Sequence, residues 1–199
     1  MVVDALKVGL PVILPTDTVY GLCANASDEE AVERLYRLKG RTATQPTALL
    51  CASVESLWEL VPDLADASAR VAAELLPGPY TLIVTNPERR FEWLTGGRPN
   101  TLGVRVPVLP AAAAGVVAEL RAVAATSANA PGDADPRRLE DVPEAIRAGC
   151  GAVLDGGELP GTPSTIVDLT GEEPEVIRVG ATPAEETLAR VRAAVTRAE

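Results

Sequence analysis

Leu14-Pro-Thr-Asp-Thr-Val-Tyr-Gly-Leu22 turns an apolar run abruptly into a polar cluster carrying three hydroxyls and one carboxylate. Val12 to Leu14 read as a buried strand. Pro15 has no N–H to give a central ladder, so sheet pairing should loosen where Thr16, Asp17 and Thr18 begin. A strand that ends this way delivers side chains to a pocket, and Gly21 lets the backbone turn or approach a ligand. Taken alone, the segment is better served by an ordinary strand-to-helix turn in which Asp17 or Thr18 caps a local backbone group, and two further polar clusters change that balance.

Outward from this stretch the pattern alternates. Strand-like segments, many of them rich in Val, Ile or Leu, are Val12 to Leu14, Ala48 to Cys51, Tyr80 to Thr85, Leu102 to Val106, Val123 to Ala125, Ala152 to Leu154, Ser164 to Leu169 and Val176 to Val179. A helix capped by Ser27 and Asp28 is expected over Glu29 to Leu38. Val32, Leu35, Tyr36 and Leu38 form its apolar stripe, early acids suit its start, and Gly40 stops it. Further helices are expected at Glu55 to Leu60, Ala65 to Leu76, Ala111 to Arg121, Asp141 to Ala148 and Pro183 to Ala198. Not every strand pair has a helix between its members, which predicts an α/β fold with a mixed sheet. No long linker or repeat interrupts it, so one domain over residues 1–199 is expected.

Composition excludes several classes of function. With 199 residues, 47% of them apolar, the chain can close a substantial core. The three cysteines are widely spaced and lack a Cys-x-x-Cys pattern, so neither a disulfide framework nor structural zinc is indicated, and a cytoplasmic protein is expected. Val2 to Leu14 contains Asp4, Lys7 and Pro11, unlike a signal peptide, and no apolar run reaches the roughly 18 residues that span a bilayer. The net charge of −10 disfavours stable direct binding of long nucleic acid. Without histidine, Ser-His and Cys-His nucleophile pairs and the commonest metal ligand are missing. Chemistry must rest on Lys, Arg, hydroxyls, carboxylates and backbone groups.

Two more clusters stand out. Lys39-Gly-Arg41 places two cations around a glycine at a helix end, a pairing suited to phosphate or carboxylate oxygens, although cations there also complement the helix dipole. In Ala124-Ala-Thr-Ser-Ala-Asn129, small residues leave room at a strand end. Ser127 and Asn129 would share a face if the strand persists, or form a local turn if it does not.

Together, Pro15-Thr-Asp-Thr-Val-Tyr-Gly-Leu22, Lys39-Gly-Arg41, Pro77-Gly-Pro-Tyr-Thr81, Leu102-Gly-Val-Arg-Val-Pro107, Ser127-Ala-Asn129, Asp155-Gly-Gly157, Pro163-Ser-Thr-Ile166 and Arg178-Val-Gly180 resemble the YrdC/Sua5 family in order and spacing. The resemblance covers about residues 10 to 182. It implies a twisted mixed α/β sheet with flanking helices and a large concave, positively lined cavity. It also implies L-threonylcarbamoyladenylate synthase activity, with L-threonine, bicarbonate and ATP giving threonylcarbamoyl-AMP and pyrophosphate for the tRNA modification t6A. Carried over by position, Thr16, Arg105, Ala125 and Ser164 hold L-threonine, with Arg105 on its carboxylate. Lys39, Thr101, Ser127 and Arg178 contact the nucleotide, Arg41 and Asn129 complete two pairs associated with activity, and Lys39 and Arg41 are the expected catalytic residues. Mg²⁺ is expected to arrive with ATP, with no permanently bound cofactor and no protein metal site. The chain ends at Glu199 after one helix, like the short form of the family, which works with partner proteins that transfer the adenylate to tRNA.

This sequence departs from the family pattern at Thr42 and at Gln45-Pro-Thr47, and Asp135 stands where a small hydroxyl residue is expected. Two other readings remain. One is a relative that adenylates a carbamate derived from carbamoyl phosphate, against which Thr16 and Ser164 favour threonine. The other is a non-catalytic nucleotide- or RNA-binding module.

Overall fold

In a computed structural model, residues 1–42 and 44–196 are described. In chain order the elements are α1 Val2–Lys7, β1 Val12–Pro15, β2 Tyr20–Asn25, α2 Glu29–Lys39, β3 Ala48–Cys51, α3 Val54–Leu60, α4 Asp66–Leu75 and β4 Tyr80–Thr85. They continue with β5 Thr101–Arg105, α5 Ala111–Leu120, β6 Ala122–Ser127, α6 Glu144–Ala148, β7 Ala152–Val153, β8 Thr165–Asp168, β9 Glu175–Arg178 and α7 Ala184–Thr196. The last two positions of the expected C-terminal helix, 197 and 198, lie outside the described residues.

One nine-stranded sheet runs β7-β1-β2-β6-β3-β5-β4-β8-β9. It is mixed, as expected: β1/β7, β3/β5 and β4/β8 pair in parallel, and the other neighbours are antiparallel. Pairing of β1 with β2 stops at Pro15↔Tyr20, where the missing N–H of proline ends the ladder.

Strand alternation divides the molecule. Ile13, Leu22, Leu49, Leu82 and Val104 point to a large core, and Val12, Leu14, Cys23, Leu50 and Val123 to a smaller one on the other face. A fully buried Leu or Ile of this kind contributes about 1.5–3 kcal/mol through its removal from water. The smaller core packs against α1 and α5, which lie over β1, β2, β6 and β7. On that same face, side chains of β3, β5 and β4 border open space, and a cavity forms there.

Several expectations are corrected. β2 was not expected, and Gly21 does not turn the chain; it is a strand residue paired with Leu14 and Ser127. Residues 20–25 are almost entirely buried on both faces, so they lack the polar alternation that marks a half-exposed strand. The short helix α1 was also not expected. The strand expected to stop at Ala125 continues to Ser127, and the helix expected from Asp141 begins at Glu144, after a 3₁₀ turn over Leu139–Asp141.

Candidate active site

A cavity of about 440 Å³ opens on the less covered face of the sheet. All ten expected residues line it: Thr16, Lys39, Arg41, Thr101, Arg105, Ala125, Ser127, Asn129, Ser164 and Arg178. Arg98 joins them, so among the described residues the lining holds five cations against one carboxylate, Asp135, in a chain of net charge −10.

The helix end builds the first cluster. Gly40 is left-handed (φ 67°), and the amides of Gly40 and Arg41 close back on the carbonyls of Arg37 and Tyr36 at 3.2 and 2.9 Å. This reversal is what glycine permits, and it turns Lys39 and Arg41 into the same cavity. Lys39 is 6% exposed, and its Nζ donates to Ser127 O and, at 2.6 Å, to Asn129 Oδ1. Ser127 Oγ donates to the same Asn129 oxygen at 2.7 Å. The strand does end at Ser127, yet the two side chains meet. Arg41 Nη1 donates to Thr126 Oγ1 at 3.0 Å and its Nε to Gln45 Oε1 at 2.9 Å. Burial lowers the Lys39 ammonium from 10.5 to about 8; Arg41 adds to this, and Asp135 opposes it.

Strand β5 carries the second cluster, with Thr101, Gly103 and Arg105 alternating toward the cavity. Arg105 Nη2 donates to Asp17 Oδ1 at 3.0 Å. Arg178, at the end of β9, donates from Nε and Nη2 to Ser164 O at 3.1 and 2.8 Å, and from Nη2 to Ser164 Oγ at 3.0 Å. The hydroxyls of Ser164 and Thr81 lie 2.8 Å apart. Thr16 lines the cavity with its hydroxyl already engaged: Oγ1 donates to Val19 O at 2.7 Å and accepts from the amides of Thr18 and Val19 at 3.2 and 3.3 Å. The strand-to-helix turn expected for this segment is not formed: the chain turns between the antiparallel strands β1 and β2, and Thr16 rather than Asp17 or Thr18 bonds the local backbone groups. Ala125 sits on the wall where a larger side chain would fill space.

Sequence reasoning passed over Thr126, Thr81, Arg98 and the link from Asp17 to Arg105. Thr81 and Thr126 sit inside stretches already singled out but were not assigned to the site, and Arg98 lies in a Gly-Pro turn with no signal of its own. Asp17 was visible as a carboxylate at a strand end, but its partner lies 88 positions away.

A family model described as telomere recombination, that of the Sua5/YciO/YrdC proteins, matches residues 4–180. The chain belongs to this family. It is 37% identical over 182 residues to threonylcarbamoyl-AMP synthase of Pyrococcus abyssi, a match covering 91% of this chain and 53% of that protein. A crystal structure of P. abyssi Sua5 complexed with L-threonine superposes with a TM-score of 0.84 at 37% identity, over 94% of this chain and 55% of that one. The crystal structure of Escherichia coli YciO gives a TM-score of 0.77 at 27% identity, over 91% of this chain and 88% of that one. The chain spans about half the length of the P. abyssi relative.

Proposed function

We propose that this Sua5/YciO/YrdC chain makes threonylcarbamoyl-AMP from L-threonine, bicarbonate and ATP, releasing pyrophosphate. The observation that carries the reading is the gathering of all ten expected substrate-facing residues around one cavity, from elements as distant in sequence as Thr16 and Arg178. The contact of Arg178 with Ser164, residues assigned by resemblance to different substrates, supports two ligands held side by side. The name of the P. abyssi relative and its crystallisation with L-threonine support the same assignment.

Threonine would enter with its carboxylate on Arg105 and its amine free to take up CO₂ or bicarbonate as a carbamate. A carbamate oxygen then bonds to the α-phosphorus of ATP, the bond to the β-phosphate bridge breaks, and pyrophosphate leaves with that electron pair. The charge gathered in this step is what Lys39 and Arg41 would offset; their hydrogen-bond partners are a carbonyl, two side-chain amides and a hydroxyl, and the Asp135 carboxylate opposes the Lys39 charge only from a distance. Mg²⁺ would enter as the ATP complex. Among the described residues no group of three or more His, Cys, Asp and Glu could hold a metal ion, and Asp135 is the one carboxylate that lines the cavity. The protein's share is to position reactants and exclude water. Delivery to tRNA for t6A would fall to partner proteins in the cytoplasm, and no described helix is long and apolar enough to cross a membrane.

Pyrophosphate release, measured with ATP, Mg²⁺ and bicarbonate, tests this with L-threonine, L-serine, carbamoyl phosphate or no donor. Release that needs threonine and bicarbonate together is expected. Release only with carbamoyl phosphate would replace threonine by another carbamate, and silence with every donor would contradict the synthase reading.

A further inference from the structure

Arg105 is the cavity cation with the strongest carboxylate partner, and that partner stands outside the cavity. Asp17 and Arg105 pair at 3.0 Å with side chains only 11% and 12% exposed. The second oxygen of Asp17 accepts the Val108 amide at 3.3 Å, and Arg105 Nη2 also reaches Thr18 Oγ1 at 3.4 Å. One edge of the guanidinium is thus held by the protein. Among the described residues its buried Nε has no hydrogen-bond partner. Arg105 lines the cavity and Asp17 does not.

The other lining cations differ. Lys39, Arg41 and Arg178 are hydrogen-bonded to neutral acceptors, and the Asp135 carboxylate acts on Lys39 and Arg178 only from beyond ion-pair distance. Arg98 lies 3.8 Å from Asp168 and is more than half exposed, so that pair is weakly coupled. A polyphosphate is drawn to any set of unneutralised cations, and Arg178 lies close enough to Arg105 to disfavour its charge. Without Asp17 the two arginines would offer a second phosphate site next to the first.

We propose that Asp17 is a specificity-determining residue that neutralises Arg105 from behind, reserving that guanidinium for a single carboxylate and keeping phosphate groups with Lys39 and Arg41. The inference deepens the proposed reading, in which an amino acid and ATP share the cavity, and it concerns which anion each cluster accepts.

Calorimetric titration with inorganic phosphate and with L-threonine tests it on the wild type, Asp17→Asn, Asp17→Glu and the double variant Asp17→Asn/Arg105→Met. In Asp17→Asn, phosphate is expected to bind about tenfold more tightly than in the wild type and to compete with threonine. Adding Arg105→Met should abolish that gain, and Asp17→Glu, which keeps the charge, should exclude phosphate as the wild type does. A folded Asp17→Asn protein with unchanged phosphate affinity overturns the proposal, as does a phosphate gain in Asp17→Glu or one that survives Arg105→Met. Should Asp17→Asn fail to fold, Asp17→Ser removes the same charge with a smaller side chain. A wild type that binds no threonine would defeat the synthase reading, while the phosphate arms would still decide the role of Asp17.

Discussion

The two cation clusters of the cavity are built by opposite electrostatic rules. Around Lys39 and Arg41 the protein supplies a backbone carbonyl, two side-chain amides and a hydroxyl, which orient the cations without an ion pair, the Asp135 carboxylate acting on Lys39 only from a distance. Around Arg105 it supplies a buried carboxylate at 3.0 Å. Neutral acceptors suit a site that must meet several phosphate charges at once, whereas a half-cancelled guanidinium suits one carboxylate. Under the proposed function, one cavity would sort two anionic substrates by charge as well as by shape.

The contrast breaks most sharply at its phosphate side. Lys39→Ala and Arg41→Ala should each lower the rate of threonine-dependent pyrophosphate release by about 10²–10³-fold, the size seen when a donor to developing charge is removed. Steady-state kinetics at saturating threonine would check this, and a loss below tenfold would remove the residue from the chemistry.

A second, smaller effect comes from the loop that carries the Arg41 anchor. Gly96 is left-handed (φ 63°), and a Cβ there would lie 2.3 Å from Pro46 N and 2.6 Å from the Gln45 carbonyl carbon. Gly96→Ala should push the backbone next to Gln45, release Arg41 Nε and cost up to about 10²-fold in kcat/KM for ATP, while threonine binding holds. Equal losses for both ligands would show that the two clusters are not independently supported.

The smallest effect sharpens the comparison by pH. Lys39, lowered to about 8 by burial, loses its charge as pH rises through that value, so ATP affinity should fall roughly fivefold from pH 8 to pH 9. Its folded pKa lies below the unfolded value of 10.5, so the unfolded chain binds more protons between about 8 and 10.5 and this group makes stability rise with pH across that window. At the other cluster burial pushes the Asp17 carboxyl up from its ordinary value, opposed by the Arg105 guanidinium. Nucleotide titrations at several pH values check this, and a flat profile from pH 7 to 9 would contradict it.

Much of this was legible in the sequence because the expected site residues sit at ends of strands or helices, where apolar runs break into polar ones. Lys39-Gly-Arg41 announced a helix stop with two cations, and Ser127-Ala-Asn129 a strand end with two polar groups. What stayed hidden is non-local or masked by burial. Tyr20–Asn25 is a central strand with no polar alternation. Nothing near Asp17 signals Arg105, and nothing near Thr126 signals Arg41. The departure at Gln45 also gained meaning only with the fold, since its amide oxygen holds Arg41.

The most direct test of the division of labour is equilibrium binding of ATP and of L-threonine, each alone, to Lys39→Ala and to Asp17→Asn/Arg105→Met. The double change removes both charges of the buried pair together. The account predicts a crossover: Lys39→Ala loses ATP and keeps threonine, and the double variant loses threonine and keeps ATP. Parallel loss of both ligands in both folded proteins would contradict it.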